Sequence, residues 1–108
     1  MPFDAYDRSL DLARSLVPTL KRLATLDPDL ARQLRRALQS VTFNIAEANG
    51  RAGKDRRHLF RLAYTSASEI GGCIDLSSTL DYLHDDAVAE SRALLDRVRA
   101  MTYRLANR

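Results

Sequence analysis

Apolar residues recur along the chain in steps of three and four, and a few polar or glycine-rich breaks divide them into four stretches. In the first they fall at Phe3, Tyr6, Leu10, Ala13, Val17, Leu20 and Ala24, and in the second at Leu30, Leu34, Ala37, Val41, Ile45 and Ala48. The third reads Leu59, Ala63, Ser66, Ile70, Cys73, Ser77 and Leu80, and the fourth Val88, Ser91, Leu95, Val98, Thr102 and Leu105. Such spacing gathers each set on one face of an α-helix. No stretch alternates with period two, so no sheet is expected. Helices over about 4–26, 28–48, 54–83 and 86–106, joined by short turns, predict an all-α fold: an up-down-up-down antiparallel four-helix bundle forming a single domain over 1–108.

The breaks carry their own chemistry. In "LDPDL", Asp27 can cap a helix, Pro28 suits its first position, and Asp29 places negative charge at the positive end of the dipole. In "ANGRAG", Gly50 and Gly53 offer backbone angles that other residues avoid. In "YLHDDAV", Asp85 or Asp86 can cap the last helix. Pro18 falls inside the first stretch, where it removes a hydrogen bond and should kink or split the helix.

Several stretches carry more apolar surface than one stripe. Leu12, Leu16, Leu23 and Leu26 form a second seam in the first stretch. In the third, Tyr64, Ser68, Gly71, Asp75, Ser78 and Tyr82 make a seam of small residues bracketed by tyrosines. Either bundle helices here have wide buried faces or a subunit interface is present; the amphipathic tyrosines favour the interface. The second stretch adds a polar row of Gln33, Arg36, Ser40, Asn44 and Glu47 beside its apolar stripe. That row is either a buried hydrogen-bond network or, as is commoner, the wet edge of an amphipathic helix. Phe43 points away from the stripe and adds weight to a partner surface.

The 108 residues are 45% apolar and 29% charged, which suits a folded chain with one buried core. No apolar run is long enough to span a membrane and no signal peptide is expected. The lone Cys73 cannot staple the chain to itself, which suits a reducing cytoplasm. The net charge of +3 permits an anionic partner without demanding one.

Catalytic and cofactor chemistry find no support. Glu47, Glu69 and Glu90 have no His three residues on, and the histidines are His58 and His84 alone, so a carboxylate-bridged metal bundle is not expected. Cys73 sits on an apolar stripe, where a thiol is a small core residue, and Ser66 and Ser68 have no His within a helical turn. The expectation is a protein that is not an enzyme and has no cofactor.

The basic turn is more informative. Arg51, Lys54, Arg56, Arg57 and Arg61 stand against one acid, Asp55, with His58 among them. Cations at a helix N-terminus are opposed by its dipole, by about 0.3–1 kcal/mol each, which points to an acidic partner. Inside the chain Glu47 is the candidate for Arg51 or Arg57. Outside it, phosphate suits Lys and Arg beside free backbone N–H groups. Aromatic stacking residues are sparse nearby, since Phe60 reads as core, so base-specific single-strand recognition is not expected and binding should be mostly backbone-directed and salt-sensitive.

The run "QLRRALQSVTFNIAEANGR" followed by "RLAYTSASEI" resembles the bacterial 23S rRNA-intervening-sequence protein family. Gln33, Arg36, Ala37, Ser40, Val41, Asn44, Ile45, Ala46, Glu47, Gly50 and Arg51 match the first part of its motif, and Ala63, Ser66 and Glu69 the second. Ala48 and Thr65 stand where the family usually has Gly. The resemblance implies a four-helix bundle assembled as a ring, a homopentamer. It also implies kinship with the accessory protein of diversity-generating retroelements, a basic ring that engages reverse transcriptase and nucleic acid. Its matches fall largely on the polar row, which implies that the row supports the fold or the ring. The resulting expectation is a non-enzymatic homo-oligomer that binds RNA or DNA backbone through the basic turn. The alternative is an interaction scaffold or accessory subunit that docks a protein without touching nucleic acid.

Overall fold

The computed structural model describes residues 2–108, with side chains from Asp4 onward. Phe3, counted in the first stripe, lies outside the described side chains. The chain forms α1 (Pro2–Ser15), α2 (Val17–Leu26), α3 (Pro28–Asn49), α4 (Gly53–Thr79) and α5 (Ala89–Ala106), with a short 3-10 turn at Asp85–Val88 before α5. No strand occurs among the described residues. The fold is all-α, with five α-helices where four were expected.

The extra helix comes from Pro18. It has no N–H to give the carbonyl one turn back, and its ring crowds that carbonyl, so the helix cannot run through it. The chain resets at Leu16 (φ −93°, ψ 0°), and Pro18 falls in the first turn of α2, where a missing N–H is harmless. The expected single helix over 4–26 is therefore two. At the next break, Asp27 accepts a hydrogen bond from Leu30 N at 3.1 Å and Pro28 opens α3, as the sequence predicts.

The end of α4 differs from the expected 83. It stops at Thr79 because Asp81 turns left-handed (φ 63°), which aims Asp81 N at Ser78 O (3.0 Å) and Tyr82 N at Ser77 O (2.9 Å). This doubly bonded closure normally uses glycine; Asp tolerates the left-handed region better than most residues. The start of the last helix also differs. Residues from Asp85 wind as a 3-10 turn, and neither Asp85 nor Asp86 caps it; Asp85 instead accepts from Ser78 Oγ at 2.7 Å.

α3 packs against α4, α4 against α5, α1 against α3 and α5, and α2 against α3. Pairs such as Gly71 with Leu95, Asp75 with Arg92 and Tyr64 with Tyr103 match falling α4 numbers to rising α5 numbers, so these two run antiparallel. The core holds Phe60, Leu34, Ile45, Ile70, Ile74 and Val98, each with almost no exposure. Burying one such side chain favours the folded state by about 1.5–3 kcal/mol.

The first arm buries a different face from the expected one. Ala5, Ser9, Leu12, Leu16, Thr19 and Leu23 are buried, while Leu10, Val17 and Ala24 of the expected stripe are exposed. The true seam keeps the three-and-four spacing and takes Leu12, Leu16 and Leu23 from the second seam read in the sequence, with Ala5, Ser9 and Thr19 added, while Leu26 of that seam is exposed. Ser9 needs no water: its hydroxyl donates to Tyr6 O at 2.6 Å and accepts from Thr42 Oγ1 at 3.2 Å.

Candidate nucleic-acid interface

The basic turn lies at the corner between α3 and α4. Gly50 has ordinary angles (φ −96°, ψ 4°), contrary to expectation, whereas Gly53 is left-handed at φ 61°. Gly53 is therefore the residue that turns the corner, and a Cβ there would meet no atom, only an unfavourable backbone. Ala52 precedes it in extended conformation and has no side chain to cap α4, so no side chain takes up the N–H groups that open the helix.

Around this corner Arg51, Lys54, His58 and Arg61 are exposed and Arg56 and Arg57 half-buried. Arg51 pairs with Glu47, the internal partner foreseen for it, at a loose 3.6 Å with both side chains about half exposed. A pair that wet contributes little. Arg56 lays its guanidinium 5.2 Å from the centre of the Phe60 ring. Lys54, Arg57 and Arg61 form no ion pair among the described residues. Three cations are thus left facing outward beside open helix N–H groups.

The polar row lies along the α3–α4 groove. Gln33 Nε2 donates to Glu69 at 3.2 Å, Ser40 and Ser66 share a hydroxyl contact of 2.7 Å, and Asn44 Nδ2 donates to Ser40 O at 2.7 Å and to its Oγ at 3.1 Å. Ser40 and Asn44 are half-buried, while Gln33, Arg36 and Glu47 are exposed. The row is dry in its middle and wet at its ends, with features of both readings the sequence left open. The paired small hydroxyls let α3 and α4 approach.

The tyrosine-bracketed seam of α4 meets partners within the chain. A Cβ on Gly71 would touch Leu95 Cδ2 at 3.5 Å, Asp75 pairs with Arg92 at 2.8 Å, and Ser68 Oγ donates to Tyr64 O at 3.1 Å. Tyr64 packs against Tyr103 and Arg99, and the Tyr82 hydroxyl donates to Asp27 Oδ2 at 3.1 Å. Most of this seam therefore serves α5 and the α2–α3 junction. Exposed apolar surface also lies away from this seam: Val17 and Phe43 flank a groove with Ala13, Leu20 and Leu38 between the first arm and α3, and Phe43 is 67% exposed.

Tyr103 and Arg99 are the residues that the sequence did not bring together with Tyr64. Tyr103 stands outside the stripe of the fourth stretch, and antiparallel pairing of α4 with α5 was the available signal. Other chemistry is muted. Burial pushes the Cys73 thiol up from its usual 9.0, with Glu69 adding to the effect, so it stays protonated and unreactive near neutrality. Cys73 lies in a groove of about 460 Å³ whose acidic rim (Asp27, Asp29, Glu69) repels phosphate. No group of three His, Cys, Asp or Glu among the described residues could hold a metal ion. None of the helices is long and apolar enough to cross a membrane.

No curated protein and no solved structure matches the chain. A family model does match, over residues 2–104, and it covers the polar row, the basic turn and every helix core described above. The chain belongs to the 23S rRNA-intervening sequence protein family.

Proposed function

We propose that this protein is a non-enzymatic, self-associating bundle that holds RNA or DNA by its backbone at the α3–α4 corner. The observation that carries this reading is the trio Lys54, Arg57 and Arg61, exposed or half-exposed without ion-pair partners beside an uncapped helix start. Phosphate satisfies both the cations and the open N–H groups, and nothing in such a contact requires a particular base. Fluorescence anisotropy with a structured RNA, titrated upward from about 50 mM salt, tests it. Binding should weaken steeply with salt, and replacing Lys54, Arg57 and Arg61 together should reduce the logarithmic salt slope by up to about three. No binding at the lowest salt would overturn the reading.

Counting α1 and α2 as one broken arm, the layout we propose is the up-down-up-down antiparallel four-helix bundle. Self-association, as a ring and on the family resemblance a pentamer, is supported by the groove at Val17 and Phe43, an apolar face without cover in the single chain. Light scattering that finds a 12.2 kDa monomer would remove it. The same groove favours a second reading, an accessory subunit that docks a protein such as a reverse transcriptase. Under that reading Phe43→Glu abolishes partner capture and leaves RNA binding absent throughout. The buried, unpaired Cys73 supports a reducing compartment, and we propose the cytoplasm.

A further inference from the structure

Along the chain no exposed aromatic stands beside the basic turn, but the fold brings a pair there. Tyr64 follows Arg61 by three residues and Arg57 by seven, so all three share one face of α4. α5, running the other way, sets Tyr103 against Tyr64 with ring centres 5.5 Å apart and planes tilted by 60°. Tyr103 remains 55% exposed. Arg99 lies 5.5 Å from the centre of the Tyr64 ring, its Nη2 reaches the Tyr64 hydroxyl at 3.4 Å, and its Nε has no hydrogen-bond partner. Together with Asp96 and Ala100 these residues line a shallow depression of about 380 Å³.

We propose that this depression receives the base of an unpaired nucleotide, stacked on Tyr103, while Arg57 and Arg61 hold the neighbouring phosphates. The inference rests on the backbone-binding reading and narrows it to single strands. An exposed tyrosine face beside a guanidinium and a row of cations has the two parts that a single-strand site needs, a stacking surface and an electrostatic track. Asp96 accepts hydrogen bonds only, so it repels phosphate from the depression and receives base N–H groups. A duplex keeps its base faces inside its own stack and leaves the Tyr103 platform unused.

The test uses the full chain and four labelled probes at low salt: a short single-stranded RNA, the same sequence as DNA, that strand with abasic sites, and its duplex. The unmodified protein should bind the RNA and DNA strands alike, about tenfold or more tighter than the abasic strand or the duplex. Tyr103→Ala should remove that preference, with duplex affinity unchanged within about twofold, and Tyr103→Phe should retain it. The chain has four Tyr and no Trp, so quenching of its tyrosine emission by the single strand but not by the abasic strand is expected as well. The abasic comparison needs no variant, so it decides even if Tyr103→Ala unfolds. Equal affinity for single, abasic and double strands would overturn the stacking proposal and leave backbone binding standing. Binding to none of the probes would overturn both.

Discussion

The two ends of the α3–α4 pair use their polar groups in opposite ways. At the Asp27 end, both carboxylate oxygens are engaged: one accepts from Leu30 N and the other from the Tyr82 hydroxyl. Arg22 then donates through Nε to Tyr82 O at 2.7 Å, so α2, α3 and the chain beyond α4 are fastened at one point. At the Gly53 end, the helix start has no side-chain cap and three cations find no internal acid. One corner turns its polarity inward and gains order. The other turns it outward and leaves its cations to the solvent.

If that contrast holds, single substitutions should separate the corners by stability. Asp27→Ala should have the largest effect, about 1–2 kcal/mol of destabilisation in urea unfolding, from a lost cap alone before the Tyr82 bond is counted. Asp27→Asn, itself a good cap, should restore most of the loss. Tyr82→Phe removes one of the two partnerships and should cost less. It should also change the response to alkali. Tyr82 is held above its usual 10.0 because the protonated phenol donates to Asp27, with burial and the carboxylate's charge adding to the shift. Its stabilising contribution is therefore present below about pH 10 and lost as pH rises through the raised value. Thermal melts across that range should fall for the native chain and fall less in Tyr82→Phe, where the alkaline loss from Cys73 remains.

Asp81→Gly should raise stability by about 0.5–1 kcal/mol, since glycine takes the left-handed angle without strain, less its greater freedom in the unfolded chain. Arg51→Ala should have the smallest effect, within about 0.5 kcal/mol, because its pair with Glu47 is long and wet. An Arg51 variant as unstable as Asp27→Ala would erase the contrast.

What could be read from the sequence was mostly what depends on near neighbours. The Asp27 cap spans three residues, Pro18 acts within one turn, and the buried stripes of α3 and α5 hold their period throughout. Two kinds of feature escaped. In the first arm two seams compete, and local pattern favoured the greasier one, although packing against α3 and α5 selected the one with Ser9 and Thr19. The seam from Tyr64 to Asp75 looked like a partner surface because small residues do mark close approach. They cannot say whose helix approaches; within the chain it is α5, through Leu95 and Arg92. Tyr103 escaped for the same reason: 39 positions separate it from Tyr64, and only antiparallel register brings them together. The outward cations needed no such register, since a surplus of charge packed into about three helical turns is visible in any linear reading.

The length of α4 has one more consequence. Its 27 residues, at about 1.5 Å each, set the two corners roughly 40 Å apart, close to the molecule's longest dimension of 42 Å. That is several Debye lengths at physiological salt, so each corner's charge acts on its surroundings without being cancelled by the other. The basic turn stands at one pole and Asp27, Asp29, Asp81, Asp85 and Asp86 gather toward the other. Arg22, Arg32 and Arg92 offset part of that acid, so the modest net charge is unevenly spread along the molecule, with its surplus cations at the Gly53 end. Under the backbone-binding proposal, a polyanion's field pulls harder on the Gly53 end than on the other and turns that corner toward it before contact.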